Sequence, residues 1–267
     1  MTVMKRLPIP AAAPALLAAA ALALSGCGDV DDGGSASAGA DKGGKTLTVF
    51  AAASLTETFT SLGKTFESSH PGVKVRFNFG GSSTLAQQIV QGAPADVFAA
   101  ANTTTMKTVT DRGAASGQPT VFARNRLVIA VSGSGESKVK GLSDLADRGL
   151  KVVLCATQVP CGSAADKALQ AAGVKVTPVS REQDVKAVLT KVRMGEADAG
   201  LVYRTDVRAA SGQVKGVEFA ESAKAVNDYP IAPLAEAPQP ALAKEFVGLV
   251  LSQQGRTVLT RAGFEAP

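Results

Sequence analysis

From Thr46 onward, apolar runs of strand length alternate with stretches whose apolar residues recur at helical spacing. Residues 47–51 are the first such run. They lead into residues 54–68, where Leu55, Phe59, Leu62 and Phe66 fall on one helical face. Residues 73–79 alternate with period two, as a half-buried strand does. Helical spacing returns at 83–91 and 103–112, with a buried strand at 96–100 between them. A second series opens at 127–131. Strands are predicted at 151–154, 176–179 and 199–203, and helices at 163–172 and 184–194. Residues 240–253 and 255–262 close the chain as helices, with no internal repeat and no coiled coil. Strands alternating with helices predict an α/β fold of parallel sheets with helical crossovers. Open sheets of this kind bind ligands beyond the carboxyl ends of their strands. Function is therefore expected at the strand-to-helix junctions.

Residues 1–45 break the pattern. Lys5 and Arg6 form a basic head, residues 7–24 are an uncharged run rich in alanine and leucine, and small residues follow. This is the layout of a secretory signal. A transmembrane anchor is the alternative, since the run approaches spanning length, but Pro8, Pro10 and Pro14 suit a spanning helix poorly. The closing Leu24-Ser25-Gly26-Cys27 resembles a bacterial lipobox. That resemblance implies a signal peptide over 1–26 and lipid on Cys27, anchoring an exported protein to the outer face of the cell membrane. Residues 28–45 are dominated by Gly, Ser, Ala and Asp, and Val30 is the one aliphatic residue larger than alanine. Such a segment buries too little apolar surface to order itself. With Cys27 it reads as a lipidated tether over 27–45, spanning about 24 Å as a flexible coil.

The 241 residues after the signal suffice for two small domains or one large one. Two of the 28 basic residues and none of the 23 acidic ones lie in the signal, so the remainder carries a net charge of +3. Its basic residues are scattered. With two tyrosines and no tryptophan there is no base-stacking surface, and no nucleic-acid partner is expected.

Three cysteines are an odd number for an exported chain. If Cys27 carries lipid, Cys155 and Cys161 remain, six apart. A disulfide between them is plausible outside the membrane and would fix a local backbone shape. A metal pair is the rival reading, but zinc needs further ligands and His70 is the one histidine.

Five junctions stand out, and several of them are small, polar and uncharged in character. The first, Ala51-Ala-Ala-Ser54, leaves room at a strand end, although Ser54-x-x-Glu57 also reads as an ordinary capping box. The second, Gly80-Gly-Ser82-Ser83-Thr84, gathers more hydroxyls at a helix start than one cap uses, after two glycines that permit close approach. Val159-Pro160-Cys161-Gly162 forms a turn before a helix. Asp184-Val185 opens another, where Asp184 serves equally well as a cap. Tyr203 ends a strand, where a tyrosine commonly packs with its hydroxyl in water. Taken together, these junctions suggest an anion site built from helix N-termini. Each terminus offers free amides and about half a positive charge, so four would supply roughly two. Amides and hydroxyls that only donate favour a fully deprotonated oxyanion such as molybdate or sulfate over hydrogen phosphate, whose proton needs an acceptor. An inward Asp184 or Glu57 would break that preference.

The stretches TVFAAASLTETF, GSSTLAQQIVQGAPADVFAAAN, the VPCG turn, GLVYRTD and the terminal QQGRTVLTRAGF resemble the molybdate-binding proteins of ABC transporters, in order and spacing, from about Leu47 to Phe264. The resemblance implies a two-lobed periplasmic-binding-protein fold of type II, with each lobe a mostly parallel sheet flanked by helices. Lobe 1 would comprise 46–124 plus 227–267, and lobe 2 would comprise 125–226. It implies that molybdate, and tungstate with it, is captured between the lobes and delivered to the membrane subunits of an ABC permease by a monomer without cofactor. The family's ligand positions fall on Ser54, Ser82 and Tyr203, through hydroxyls, and on Cys161 and Val185, through backbone amides. No free metal cation is expected at these positions. A sulfate or other tetrahedral-oxyanion binder is the alternative, because the donor logic is shared.

An enzyme is disfavoured. His70 is distant in sequence from any candidate serine, and no nucleophile elbow, phosphate loop or zinc spacing occurs. A ferric-iron binder would present paired tyrosines, whereas Tyr203 and Tyr229 stand well apart in the sequence.

Overall fold

A computed structural model describes residues 44–134 and 136–267. The expected signal peptide over 1–26, the expected lipidation at Cys27 and nearly all of the expected tether over 27–45 lie outside the described residues. The first strand, β1 (Lys45–Ala52), starts one residue inside the segment read as tether. It ends in a 3-10 turn, Ala53–Leu55, that leads into α1 (Thr56–Ser69). Then follow β2 (Val73–Gly80), α2 (Ser82–Val90), β3 (Val97–Ala99), α3 (Thr103–Thr110) and β4 (Thr120–Asn125). The second series runs β5 (Leu127–Ser132), β6 (Val152–Cys155), α4 (Pro160–Ala172), β7 (Ser180–Glu182), α5 (Val185–Arg193), β8 (Ala199–Tyr203), α6 (Arg204–Ala209) and β9 (Val214–Val217). The chain then returns through β10 (Asn227–Pro233) and closes with α7 (Pro240–Leu251) and α8 (Gln253–Ala262).

Two five-stranded sheets result, ordered β2-β1-β3-β10-β4 and β7-β6-β8-β5-β9. In each sheet four strands run one way and one runs against them, so neither is wholly parallel, contrary to the plain alternation of strand and helix. β10 runs antiparallel to β3 and β4, and β5 antiparallel to β8 and β9. The departures arise where the chain crosses between sheets. It leaves the first sheet at Asn125 and enters the second at Leu127. It re-enters the first sheet at Asn227, the register partner of Asn125.

The first sheet is covered on both faces. Leu47, Val49 and Ala51 of β1 point to one side, toward Phe59 and Leu62 of α1 and Phe246 of α7. Phe50 and Phe98 point to the other, toward Leu85 and Ile89 of α2 and Met106 of α3. Alternate residues of a strand face opposite ways, so burial of both sets makes the strand apolar throughout.

Three strands and one helix were not foreseen. β10 carries Pro230 and Pro233, which argue against a ladder. The sheet tolerates them through a register shift between Tyr229 and Pro230. β9 and α6 are too short for periodicity to register. The strand expected at 176–179 forms instead at Ser180–Glu182, beyond Pro178, which has no amide proton to give. The helix expected from residue 163 begins at Pro160, in the first-turn position that proline suits.

Candidate functional site

The two lobes meet around a cavity of about 20 Å3. It is lined by Ala52, Ala53 and Ser54 at the end of β1, by Gly80–Ser82 at the end of β2, and by Ala101 beyond β3. The second lobe contributes Val159–Cys161, Asp184, Val185 and Tyr203. All five positions carried by the resemblance, Ser54, Ser82, Cys161, Val185 and Tyr203, border this one cavity. Its size admits a compact ion and not an organic molecule, whose sites run to about 300–1,000 Å3.

Three helices start here, α2, α4 and α5, together with the 3-10 turn at Ala53–Leu55. The first amides of a helix have no partner within it, and the aligned peptide dipoles add partial positive charge. In α4 the first turn is Pro160, Cys161 and Gly162, so the free amides are those of Cys161 and Gly162. Cys161 is bonded to Cys155 at the end of β6, with Sγ–Sγ 2.08 Å and Cα–Cα 5.8 Å. Gly162 has no alternative, because a Cβ there would collide with the Ala156 carbonyl oxygen.

The three hydroxyls have defined partners, and none acts as a plain helix cap. Ser54 does not cap α1, whose N-cap is Leu55; its Oγ lies 2.9 Å from the Tyr229 hydroxyl. Ser82 Oγ accepts from the Ala101 amide at 3.0 Å, which leaves its proton to give. Tyr203 is 1% exposed, so its hydroxyl is not in water, and it accepts from Asn227 Nδ2 at 2.6 Å. Burial first, then the neighbouring Tyr229, pushes the Tyr203 phenol well above its usual range, so it stays a neutral donor.

No lysine or arginine lines the cavity, and Asp184 is its one charged residue. The Asp184 carboxylate accepts from the Ala187 amide at 3.0 Å, the N-cap bond of α5. Glu57 does not line the cavity. It sits at the seam between the lobes, where Lys186 Nζ donates to its two carboxylate oxygens at 2.7 and 2.9 Å. Lys186 also lies 3.2 Å from Asp206. Asp206 is fully buried and accepts from the Tyr203 amide at 3.0 Å. Burial raises its pKa to about 6 against the pull of Lys186. For Lys186 itself burial works downward, but Asp206 and Glu57 outweigh it and hold the ammonium above its ordinary value.

Sequence reasoning missed Tyr229, Asn227, Asn125, Lys186 and Asp206. It also separated Tyr203 from Tyr229, whereas their rings pack edge to face at 5.9 Å, because β10 returns beside the end of β8. Pairing alone does not make an iron site. Tyr229 is held by Ser54 and does not border the cavity. Among the described residues no group of three His, Cys, Asp or Glu side chains gathers to hold a cation. His70 stacks on Phe66 and lies 2.7 Å from Glu245, joining the end of α1 to α7 away from the cleft.

Two α/β lobes closed over a small, donor-lined cavity define a solute-binding protein. Residues 47–265 match the family model of the bacterial extracellular solute-binding proteins. The molybdate-binding protein ModA of Mycobacterium tuberculosis (strain H37Rv) is 46% identical over 233 residues, covering 87% of this chain and 89% of the relative. ModA of Escherichia coli K12 is 33% identical over 84% of this chain and 90% of its own length. The solved periplasmic molybdate-binding protein of Azotobacter vinelandii shares the fold, with a TM-score of 0.72 at 21% identity over 83% of this chain and 99% of that one. The chain belongs to the bacterial extracellular solute-binding proteins, in one family with the ModA proteins.

Proposed function

We propose that this chain captures molybdate, and tungstate with it, outside the cytoplasmic membrane and hands it to the membrane subunits of an ABC importer. It works as a monomeric binding protein without catalysis or cofactor. One observation carries the reading. A single ion-sized cavity at the carboxyl ends of the strands is lined by hydroxyls and helix-start amides, with no basic side chain and with its one carboxylate committed to a cap. A dianion held there takes its stabilisation from dipoles and hydrogen bonds. Ser54, Ser82 and Tyr203 donate through hydroxyls, and Cys161 and Val185 through amides. Lobe 1 (46–124 with 227–267) and lobe 2 (125–226) rotate about the two crossovers. The closed form is favoured by contacts that exist only when one ion touches both lobes. Lipid on Cys27 and the tether over 27–45 keep the protein at the outer face of the membrane. No helix among the described residues is long and apolar enough to cross one.

A thermal-shift panel of molybdate, tungstate, sulfate, hydrogen phosphate and ferric citrate tests this. A ligand at a hundred times its dissociation constant stabilises by about 2.7 kcal/mol. Large shifts are expected for molybdate and tungstate, and little for the others. A dominant sulfate response would assign the cleft to the smaller oxyanion, and a dominant phosphate or iron response would reject the reading.

A further inference from the structure

Two of the three hydroxyls at the cavity, those of Ser82 and Tyr203, accept a hydrogen bond from behind. For Ser82 the backbone donates it, from the Ala101 amide at 3.0 Å. For Tyr203 a side chain donates it. Asn227, 7% exposed at the start of β10, donates through Nδ2 to Tyr203 Oη at 2.6 Å and to the Pro160 carbonyl at 3.3 Å. A carbonyl oxygen can only accept. The amide atom facing both groups is therefore nitrogen, and the alternative orientation would set two acceptors against each other. With one acceptor position of its oxygen taken by Asn227, the Tyr203 hydroxyl keeps its proton for the cleft or for the neighbouring Tyr229 hydroxyl. Opposite Asn227 in the ladder stands Asn125, whose orientation is likewise fixed, since its oxygen accepts from the Arg126 amide at 3.0 Å while Nδ2 donates to Thr205 at 2.9 Å.

We propose that Asn227 is a specificity-determining positioning residue, which occupies an acceptor position of the Tyr203 oxygen, favours presentation of the Tyr203 proton to the cleft, and so favours fully deprotonated oxyanions over protonated ones. Molybdate offers acceptors alone. Hydrogen phosphate brings a proton that meets another donor, and an unmatched polar contact in a closed site is costly. Asn227 also reaches α4 through the Pro160 carbonyl, beside the Cys161 amide. One side chain on a crossover strand thus sets the register of two donors in lobe 2. This inference rests on the oxyanion reading given above.

The test is the Asn227→Asp variant, measured by calorimetry at pH 8 against molybdate and hydrogen phosphate. An acceptor-only carboxylate turns the Tyr203 proton toward itself and a Tyr203 lone pair toward the cleft. Molybdate affinity should fall at least tenfold, and the phosphate-to-molybdate affinity ratio should rise at least tenfold. The added negative charge repels both dianions alike, so it cancels in the ratio. A general loosening of the fold would likewise leave the ratio unmoved, and that outcome overturns the proposal. The second variant is Asn227→Ala, made alone and with Tyr203→Phe. The ratio should change in the single variant and not in the Tyr203→Phe background. Equal change in both backgrounds overturns the proposal. If neither Asn227 variant folds, the Tyr203 hydroxyl proton of the wild-type protein, assigned by its loss in Tyr203→Phe, is followed by NMR. It should shift on adding molybdate, and a resonance that molybdate leaves in place overturns the assignment. Wild-type protein that binds no oxyanion refutes the functional reading instead, so the two failures are separable.

Discussion

The cavity and the seam beside it solve opposite electrostatic problems within a few residues of each other. The cavity is lined by neutral donors, with no basic side chain. The seam, one residue further along α5, concentrates full charges: Lys186 against Glu57 from the other lobe and against the buried Asp206. Val185 and Lys186 are consecutive, yet one borders the ion site and the other joins the lobes. Ligand capture and the contact between the lobes thus use different physics. Amides and hydroxyls bind an ion by geometry and can reject a wrong one by the direction of a single proton. Salt bridges hold surfaces together through net charge and respond to pH and salt.

Five experiments test that division. The largest effect is expected from Gly81→Val. A Cβ at Gly81 would collide with the Gln183 carbonyl of the opposing lobe, so closure is blocked while each lobe keeps its own packing. Molybdate binding should weaken more than a hundredfold with little change in unliganded melting temperature, and unimpaired binding would mean that closure does not need this contact.

Asp206→Asn should flatten a pH dependence of stability. The folded pKa of Asp206 is raised to about 6 from 3.8. The folded protein therefore binds its proton more tightly than the unfolded chain does. The contribution is greatest below about pH 4 and is lost as pH rises through about 6, amounting to up to about 3 kcal/mol. Urea unfolding of both proteins from pH 4 to 8 reads the difference, and parallel curves would show that Asp206 does not titrate there.

In the cavity, Ser82→Ala and Tyr203→Phe should each weaken molybdate binding by about 1–3 kcal/mol, the scale of a lost hydrogen bond to a charged group. Calorimetry that finds both unchanged would remove those positions from the site. In the seam, Glu57→Gln should cost less than about 1 kcal/mol of affinity and diminish further in salt, as partly exposed ion pairs do. An effect as large as that of Ser82→Ala would erase the distinction between the two regions.

The disulfide lies at the boundary between them. Replacing Cys155 and Cys161 with serine opens a short loop, with an expected stability loss of about 2 kcal/mol on the chain-entropy estimate. A larger loss of affinity than of stability would mean that the bond's main role is to aim the Cys161 amide.

Much of the site was legible in the chain because small, polar residues at strand ends have few structural uses. Gly80-Gly-Ser82 and Pro160-Cys161-Gly162 stood out for that reason, and both border the cavity. Ser54 was harder to read, since a serine three residues before a glutamate imitates a cap. Only the 3-10 turn, which moves the helix start past it, removes that option. Asn227 and Tyr229 were not legible as site residues. They lie on a strand whose register shifts at Pro230, and their importance comes from side-chain contacts across to Tyr203 at the end of β8 and to Pro160 in the first turn of α4.

The sequence by itself determined the alternation of strands and helices, the α/β class and the chemical character of each junction, because these depend on neighbours close in the chain. Only the tertiary structure decided which junctions share a cavity, that Tyr203 and Tyr229 touch, and which way the hydroxyls face. Those outcomes depend on residues 24 to 175 positions apart, Asn227 to Tyr203 and Ser54 to Tyr229, and such long-range contacts are not encoded in local pattern.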